Sequence, residues 1–470
     1  MTHRDIILQD RHRAELAIQL AAPDGEEGAA YTLLSRSGIG EDPWAGRPRV
    51  RYISYEVIPI PDEDRISASP DHVTWRTASF VRLCRRAKEE RLVPAIVHSH
   101  PSRLDVFSEQ DDRNERDLHV LARNRNRGAP TELLSILQVG DDIYRARVWE
   151  TGDEPTLCMR VSIVGPSLVI QDLERRAPSE IHDRQALAFG PEVNDHLRHL
   201  SVGVVGCGGT GSPLVHLLAR LGVGRLLVAD DDHVERSNLN RLHGATLKDA
   251  EQAVPKVEVM RREVERMSLG VRVSTIKGWV DDIATRDALR SCDVIFGCTD
   301  DHAGRLFLNR LAVFYAIPVI DVGLALVPRT DGASGLQEMA ARVTVLAPGA
   351  PCVLCRGIVD PVRARDEDLR RHAPEEFARR KAEAYVVGGG DLAPAVVTFT
   401  TEAATMAVNE LLQGLVDYRG DGHWAWNRYR RLDRVEERRH GATPRDGCPL
   451  CQDRTYWGLG DVDPFLDRTG

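Results

Sequence analysis

Residues 202–241 read VGVVGCGGTGSPLVHLLARLGVGRLLVADDDHVERSNLNR, and the fold of the larger part of the chain follows from them. Val202, Val204 and Val205 make a short apolar run of the kind that lies buried in a parallel sheet. Gly206, Gly208, Gly209 and Gly211 follow, and Leu214, Leu217, Leu218 and Leu221 then recur at the spacing of one helix face. Gly222 and Gly224 close that helix, and Leu226 to Ala229 begin a second apolar strand that ends at Asp230. The pattern is a strand–helix–strand unit with a nucleotide-binding fingerprint. Its glycines let phosphates approach the backbone, the helix N-terminus favours their charge, and Asp230 can take a ribose hydroxyl.

A chain of 470 residues is long enough for two or three domains. Charged residues make up 28% and the net charge is −9, with basic residues interspersed among acids, which argues against a nucleic-acid partner. No run of 18 apolar residues exists, so no membrane span is expected. The opening MTHRDIILQDRHR lacks a signal-peptide core, which predicts a cytoplasmic protein. Four of the nine cysteines form two Cys-x-x-Cys pairs beside turn formers, Cys352 with Cys355 and Cys448 with Cys451. That is the ligand spacing of a structural four-cysteine zinc site. Cys84, Cys158, Cys207, Cys292 and Cys298 lie in or beside apolar segments and read as buried small hydrophobes.

Upstream, residues 5–20 read as a helix with Ile6, Ile7, Leu16 and Leu20 inward. Ala29 to Leu34 and Val50 to Ile60 read as strands and Ser79 to Glu90 as a helix. The apolar strand Val93 to Val97 runs into His98-Ser99-His100-Pro101. Histidines two apart on a strand face one side, so these rings can converge on one metal ion. Ser108 and Asp111 follow at the head of a charged helix, Glu109 to Asn124. A carboxylate there can supply a third ligand and leave one tetrahedral position open, as hydrolysis requires, although the Ser-x-x-Asp spacing also fits a helix capping box.

His98-x-His100, seven residues, Ser108, two residues and Asp111 together resemble the JAMM signature of the JAB/MPN metalloproteases, over about residues 5 to 150. The resemblance implies an α+β domain in which His98, His100 and Asp111 hold a catalytic zinc that activates water. It implies that Glu27, in EEGAAYTLL and adjacent to Glu26, moves the proton, and that Ser108 donates to the oxyanion. Members cleave after the C-terminal glycine of ubiquitin-like proteins.

Thr151 to Pro155 is turn-rich and Gln171 to Asp183 is charged, which divides the chain into a domain at 1–155, a linker at 156–181 and a second domain at 182–470. Met159 to Val164 is strand-like and fits either side. In the second domain the fingerprint alone suits NAD, FAD or ATP, and downstream residues arbitrate. The strand ending at Asp230 continues into Asp232, Asn238, Asn240 and Arg241; Lys256 opens a helix to Met267; a strand from Asp293 to Gly297 ends in Cys298-Thr299-Asp300-Asp301. Two cations for a triphosphate and an acid for magnesium suit nucleotidyl transfer better than hydride transfer.

VGCGGTG, LVADDDHVERSNLNR, VPKVE and VIFGCTDDHAGRLFLNRLA, with the paired Cys-x-x-Cys, resemble the ThiF/MoeB superfamily over about residues 182 to 455. The whole is then an α/β chain: a JAB/MPN domain followed by a Rossmann-like adenylation domain with a structural zinc site. The resemblance implies that Gly206, Gly208, Gly209, Gly211 and Asp230 hold the adenosine part of ATP. Asn238, Arg241 and Lys256 contact its phosphates, Asp232 belongs to the same set, and Asp300 binds magnesium. Arg184 reaches a partner subunit's ATP site, which implies a homodimer. Arg305 and Asn309 match family positions without an assigned role. The implied reaction is attack of a C-terminal glycine carboxylate on the α-phosphate, giving an acyl-adenylate and pyrophosphate.

One departure matters. Many activating enzymes carry a nucleophilic cysteine after the first Cys-x-x-Cys, but Arg356 to Gly447 contains none. That stretch offers instead a charged segment expected to be mobile, Arg363 to Lys381, and Val386 to Gly390. A thioester in the usual place is excluded, and the adenylate passes to a conjugating-enzyme-like protein, a sulfur donor, or a hydroxyl or amine. The expectation is a bacterial-style bifunctional enzyme that trims a ubiquitin-like protein and then adenylates its C-terminal glycine. Sulfur-carrier activation in a cofactor pathway and a non-catalytic scaffold for ubiquitin-like tails are the alternatives.

Overall fold

The computed structural model describes every residue except 1, 22–24, 70–71, 102–103, 151, 153, 174–179, 330–334, 383–393 and 463–470, so the stretch Val386 to Gly390 lies outside the described residues. Two large sheets organise the rest. The first runs, edge to edge, Leu168–Asp172, Arg160–Val164, His3–Gln9, Arg49–Pro59, Ala29–Ile39, Val93–His100, Leu133–Val139, Ile143–Trp149 and Thr156–Leu157. Period-two alternation divides its central strands between two cores. Ala30, Leu34, Ala95 and Val97 pack with Leu16 and Leu20 of the helix Asp10–Leu20, whereas Tyr31, Leu33 and Ile96 pack with Phe80 and Leu83 of the helix Thr77–Glu89.

Two sequence readings change here. Residues 5–9 are strand, and the helix starts only at Asp10. Ile6 and Leu8 enter one core and Ile7 the other, so this apolar run is a strand covered on both faces. Within the expected linker at 156–181, Thr156–Leu157, Arg160–Val164 and Leu168–Asp172 are strands of the first sheet. Arg160–Val164 pairs parallel with His3–Gln9, Asp5 lying opposite Arg160, and Leu168–Asp172 adds the edge. The strands Ile143–Trp149 and Thr156–Leu157, on either side of the turn-rich stretch, pair antiparallel in one sheet.

The second sheet runs Arg272–Ile276, Arg225–Ala229, Ser201–Val205, Val294–Gly297, Val319–Pro328, Leu336–Leu346, Asn427–Arg431 and Glu436–Arg439. Its first five strands are parallel. Ser201–Val205 lies between Arg225–Ala229 and Val294–Gly297, so the strand order reverses there, and ligands of open α/β sheets bind at such a switch point. The charged segment expected to be mobile forms two helices, Pro361–His372 and Pro374–Ala382. Proline at the first helical position and the Asp360 carboxylate, accepting from Val362 N and Arg363 N, start the former. Among the described residues no helix is long and apolar enough to cross a membrane.

The two sheets share a core. Ile7, Ile53, Val164 and Leu168 of the first belong to the same apolar cluster as Val202, Val204 and Leu226 of the second. A buried ion network crosses the same boundary. Arg51 Nη2 donates to Asp293 Oδ1 at 3.0 Å, Arg160 Nη1 to Asp293 Oδ2 at 2.5 Å, and Arg49, paired with Asp5, donates from Nη1 to Ser291 O at 3.0 Å. Burial pushes Asp293 up, but Arg160, Arg51, Arg49 and Arg225 bring it down to about 2. Asp293→Ala leaves Arg51 and Arg160 buried without that carboxylate and deprives the Ser201 N–H of its acceptor. A loss of about 3–5 kcal/mol is expected in denaturant unfolding, and a loss under 1 kcal/mol would contradict this role.

Candidate nucleotide and metal centres

The glycine turn follows the switch-point strand. Gly206 sits at φ +91°, and a Cβ there would come within 2.7 Å of Cys298 O; at Gly211 it would lie 1.8 Å from Gly206 O. Backbone packing therefore requires both glycines. Gly208 differs: a Cβ there would meet nothing within 4 Å. The protein's own packing leaves this space open beside the turn, where a phosphate group fits. A cavity of about 260 Å³ opens from it, lined by Gly206, Gly208, Gly209, Asp230, Asp232, Asn238, Arg241, Lys256, Asp300 and Arg305.

The charges in this cavity are fixed by local bonds. Asp230 Oδ2 accepts from Cys207 N at 2.5 Å and Oδ1 from Asp232 N at 2.8 Å, so its carboxylate holds the glycine turn in place. Burial raises Asp230, against the pull of Lys256 and those two N–H groups. Lys256, the first residue of the helix Lys256–Met267, is buried with Nζ 2.7 Å from Asp232 Oδ2. Burial works against its charge, but Asp230 and Asp232 outweigh that and raise its pKa, so it stays protonated. Arg241 Nη1 donates to Ser237 O and Asn240 Oδ1, and its guanidinium has no carboxylate partner among the described residues. Asn238 Oδ1 accepts from Glu235 N. Asp300 is exposed at the end of Val294–Gly297. Asp301 caps the helix His302–Phe314, and burial pushes it up to about 6, with Gly304 N–H pulling down and Glu367 and Asp300 pushing up.

In the first domain, His98 and His100 end the strand Val93–His100 and are both buried. Asp111 Oδ1 lies 3.3 Å from His98 Nε2 and Oδ2 lies 3.6 Å from His100 Nε2; Glu27 Oε1 lies 3.7 Å from His100 Nε2. One ligand atom from each of His98, His100 and Asp111 falls within 4.8 Å of the others. His98 Nε2 is buried facing Asp111 Oδ1 and makes no well-directed hydrogen bond among the described residues, as suits a metal ligand. Burial pushes Asp111 up, but the His100 and His98 rings and the Ser108 backbone hold it well below the usual carboxylate range. Ser108 forms a capping box: its Oγ accepts from Asp111 N at 3.1 Å and donates to Asp111 Oδ2 at 2.8 Å. Its hydroxyl is therefore engaged with the carboxylate and orients it. Ser108→Ala is expected to cost about 1 kcal/mol of stability as a lost cap. Urea unfolding checks this, and no change in midpoint would count against the capping role.

The four cysteines meet across 96 residues of chain, with Cys352 Sγ 3.5 Å from Cys448 Sγ and Cys355 Sγ 3.5 Å from Cys451 Sγ. A disulfide would need about 2.0 Å. A tetrahedron with zinc–sulfur bonds of about 2.3 Å has sulfur–sulfur edges of about 3.8 Å, close to what is seen. Arg445 N donates to Cys355 Sγ at 3.1 Å.

Residues 182–451, more than half of the chain, match the model of the ThiF family. The chain belongs to the ThiF family. Residues 10–150 match prokaryotic homologs of the JAB domain, so this ThiF protein is a fusion with a JAB-like domain in front. It is 32% identical over 166 residues to the SAMP-activating enzyme E1 of Haloferax volcanii, covering 35% of this chain and 56% of that one. It is 30% identical over 188 residues to the molybdopterin-synthase adenylyltransferase of Escherichia coli, covering 38% and 70%. The chain spans about half the length of most curated relatives it matches. Among solved structures, E. coli MccB bound to MccA-N7isoASN matches at 18% identity and TM-score 0.45, covering 58% and 75%, a likeness too low to argue from.

Within the ThiF domain the structure gathers all the expected nucleotide residues except two around one cavity: Gly211 is the buried first residue of the helix Gly211–Leu221, and Arg184 is exposed on the helix Asp183–Phe189. Asn309 acquires a place, its Oδ1 accepting from Val353 N next to Cys352. Arg305 Nε lies 3.3 Å from Asp321 Oδ1, and Arg342 donates to the other oxygen of that carboxylate. Sequence reasoning missed the rim built by Pro361–His372. Arg371 lies 3.7 Å over the Trp279 ring and pairs with Asp231 at 2.6 Å, and Glu367 accepts from His302 N and Ala303 N. Residues from 64 to 140 positions apart make these contacts, and only the excess of charge on that segment hinted at them.

Proposed function

We propose that this chain is a bifunctional enzyme. Its ThiF domain adenylates the C-terminal glycine of a ubiquitin-like protein, and its JAB-like domain trims or deconjugates the same tail. The observation that carries the reading is that one polypeptide holds two preorganised centres suited to that one chemical end. One is the open glycine turn ringed by Lys256, Arg241 and Asp300; the other is the convergence of His98, His100, Asp111 and Glu27.

In the ThiF domain a carboxylate oxygen of the tail attacks the α-phosphorus of ATP, the bond to the bridging oxygen breaks, and pyrophosphate leaves with the electron pair. Gly206, Gly208, Gly209, Gly211 and Asp230 seat the nucleotide, with Asp230 holding the turn through Cys207 N. Lys256, Arg241 and Asn238 stabilise charge on the phosphates as they separate. Asp300, with Asp232 lining the same cavity, would hold magnesium, which supplies further neutralisation; Asp301, raised by burial and by the neighbouring Glu367 and Asp300, marks the excess of acid that supports a cation there. Arg184, exposed and away from its own cavity, is assigned to a partner subunit's site in a homodimer.

In the JAB-like domain His98, His100 and Asp111 would hold zinc, which lowers the pKa of water toward neutrality. Glu27, buried beside His100, takes the proton and delivers it to the leaving amine. Ser108 orients Asp111 and, on release, can donate to the oxyanion. The four cysteines would hold a structural zinc. The protein is assigned to the cytoplasm.

A second reading, sulfur-carrier activation, is favoured by the absence of cysteine from Arg356 to Gly447 and by relatives named as sulfur-carrier adenylyltransferases. Mass spectrometry of the carrier after reaction distinguishes the two: an adduct on a conjugating-enzyme-like protein or target supports conjugation, and a thiocarboxylate supports sulfur transfer. For the peptidase half, Glu27→Gln is expected to slow cleavage of a tail-extended carrier at least about 100-fold with zinc content unchanged. Equal cleavage by wild type and variant would overturn the assignment of Glu27.

A further inference from the structure

We infer that the cleft between the two domains is a docking site for the free C-terminal carboxylate of an extended peptide, separate from both centres. The cleft is a cavity of about 640 Å³, walled by Arg11 and Pro166 from the first domain and by Pro348, Trp426, Arg454 and Trp457 from the second. Its chemistry centres on Trp457, whose ring is buried and anchored by Nε1 donating to Leu450 O at 3.1 Å. Arg11 lies 5.0 Å and Arg454 5.8 Å from the centroid of that one ring.

Neither guanidinium has a carboxylate partner among the described residues. The acid at the rim, Asp10, is engaged by Arg13 at 2.9 Å. Two like charges gathered on one aromatic ring repel each other, and Arg11 is held below its usual range by burial and then by Arg454. An anion arriving between them relieves that repulsion, and paired guanidinium forks match the two oxygens of a carboxylate. The remaining wall favours an extended chain behind that carboxylate. Trp426, Pro166 and Pro348 give an apolar surface against which such a chain can lie. A tail held here touches both domains at once. The inference rests on the proposed function for which tail is bound, not for the carboxylate chemistry.

The test uses the full chain and a synthetic hexapeptide ending in glycine, as free acid and as C-terminal amide, titrated by calorimetry with inorganic phosphate as competitor. The free acid is expected to bind at least tenfold tighter than the amide, Arg11→Gln and Arg454→Gln are each expected to weaken it at least tenfold, and phosphate is expected not to displace it. Equal binding of acid and amide, no binding, affinity unchanged in both variants, or displacement by phosphate would overturn the site. Pyrophosphate exchange with a carrier protein, measured in parallel, reads the nucleotide centre separately. Exchange in the wild type with peptide binding indifferent to Arg11 and Arg454 overturns only the docking site; peptide binding with no exchange overturns only the proposed function.

Discussion

Lys256→Met is expected to lower ATP–pyrophosphate exchange by about 10²- to 10³-fold while leaving the protein folded. Removing one preorganised donor aimed at developing charge typically costs that much. Lys256 is the buried cation of the cavity, placed by the helix it begins and by its contact with Asp232. Methionine fills a similar volume, so packing around Val257 and Met260 is retained. The acids left behind tolerate the change. Asp232 is 65% exposed and remains solvated, and Asp230 keeps its two backbone N–H bonds, although losing Lys256 raises its pKa further. Exchange at saturating ATP and carrier, with circular dichroism to verify the fold, checks the expectation. A variant that exchanges at the wild-type rate removes Lys256 from phosphate binding.

Cys448→Ala is expected to remove about one equivalent of bound zinc and to loosen the end of the chain. The cysteine cluster has little apolar support, packing only Leu450 and the partly buried Leu306 and Leu354 around the sulfurs. Metal binding must therefore supply most of the energy that closes it, and structural zinc is worth on the order of 10 kcal/mol or more in small peptides. The effect extends to the domain boundary, because the residues after Cys451 return to the first domain. Trp457 O accepts from Gln9 Nε2, Gly458 O accepts from Ser35 Oγ, and Asp461 Oδ2 accepts from Gly38 N. Metal analysis should show the loss, and hydrogen exchange should show weaker protection at residues 457–462. Unchanged zinc content, or unchanged protection after its loss, would contradict a structural role.

These effects follow from features of unequal legibility. The strand–glycine–helix unit at 202–230 could be read directly, because turn, helix face and apolar strands are local patterns, and the two Cys-x-x-Cys pairs announced each other by spacing. His98 and His100 were legible because a strand brings residues two apart onto one side. Ser108 carried two meanings in sequence, cap and hydrogen-bond donor to substrate, and its bond to Asp111 shows how the first positions a neighbour. The strand His3–Gln9 was misread because residues buried on both faces lose the alternation that marks a strand, and an apolar run that continues into a helix looks helical throughout. The strand Leu168–Asp172 was not read because a short polar-ended segment looks alike at a sheet edge and between domains. Contacts such as Arg371 with Asp231, or Arg51 with Asp293, depend on folding distant segments together, and nothing near either residue encodes them.

The most direct test of one chain acting twice on one tail is pyrophosphate release from two carriers, one ending in glycine and one extended beyond it. The wild type with zinc and ATP is expected to release pyrophosphate from both, with a lag for the extended carrier. Asp111→Asn is expected to do so only for the carrier that already ends in glycine. Release from the extended carrier by Asp111→Asn at the wild-type rate, or no release from either carrier by the wild type, would contradict it.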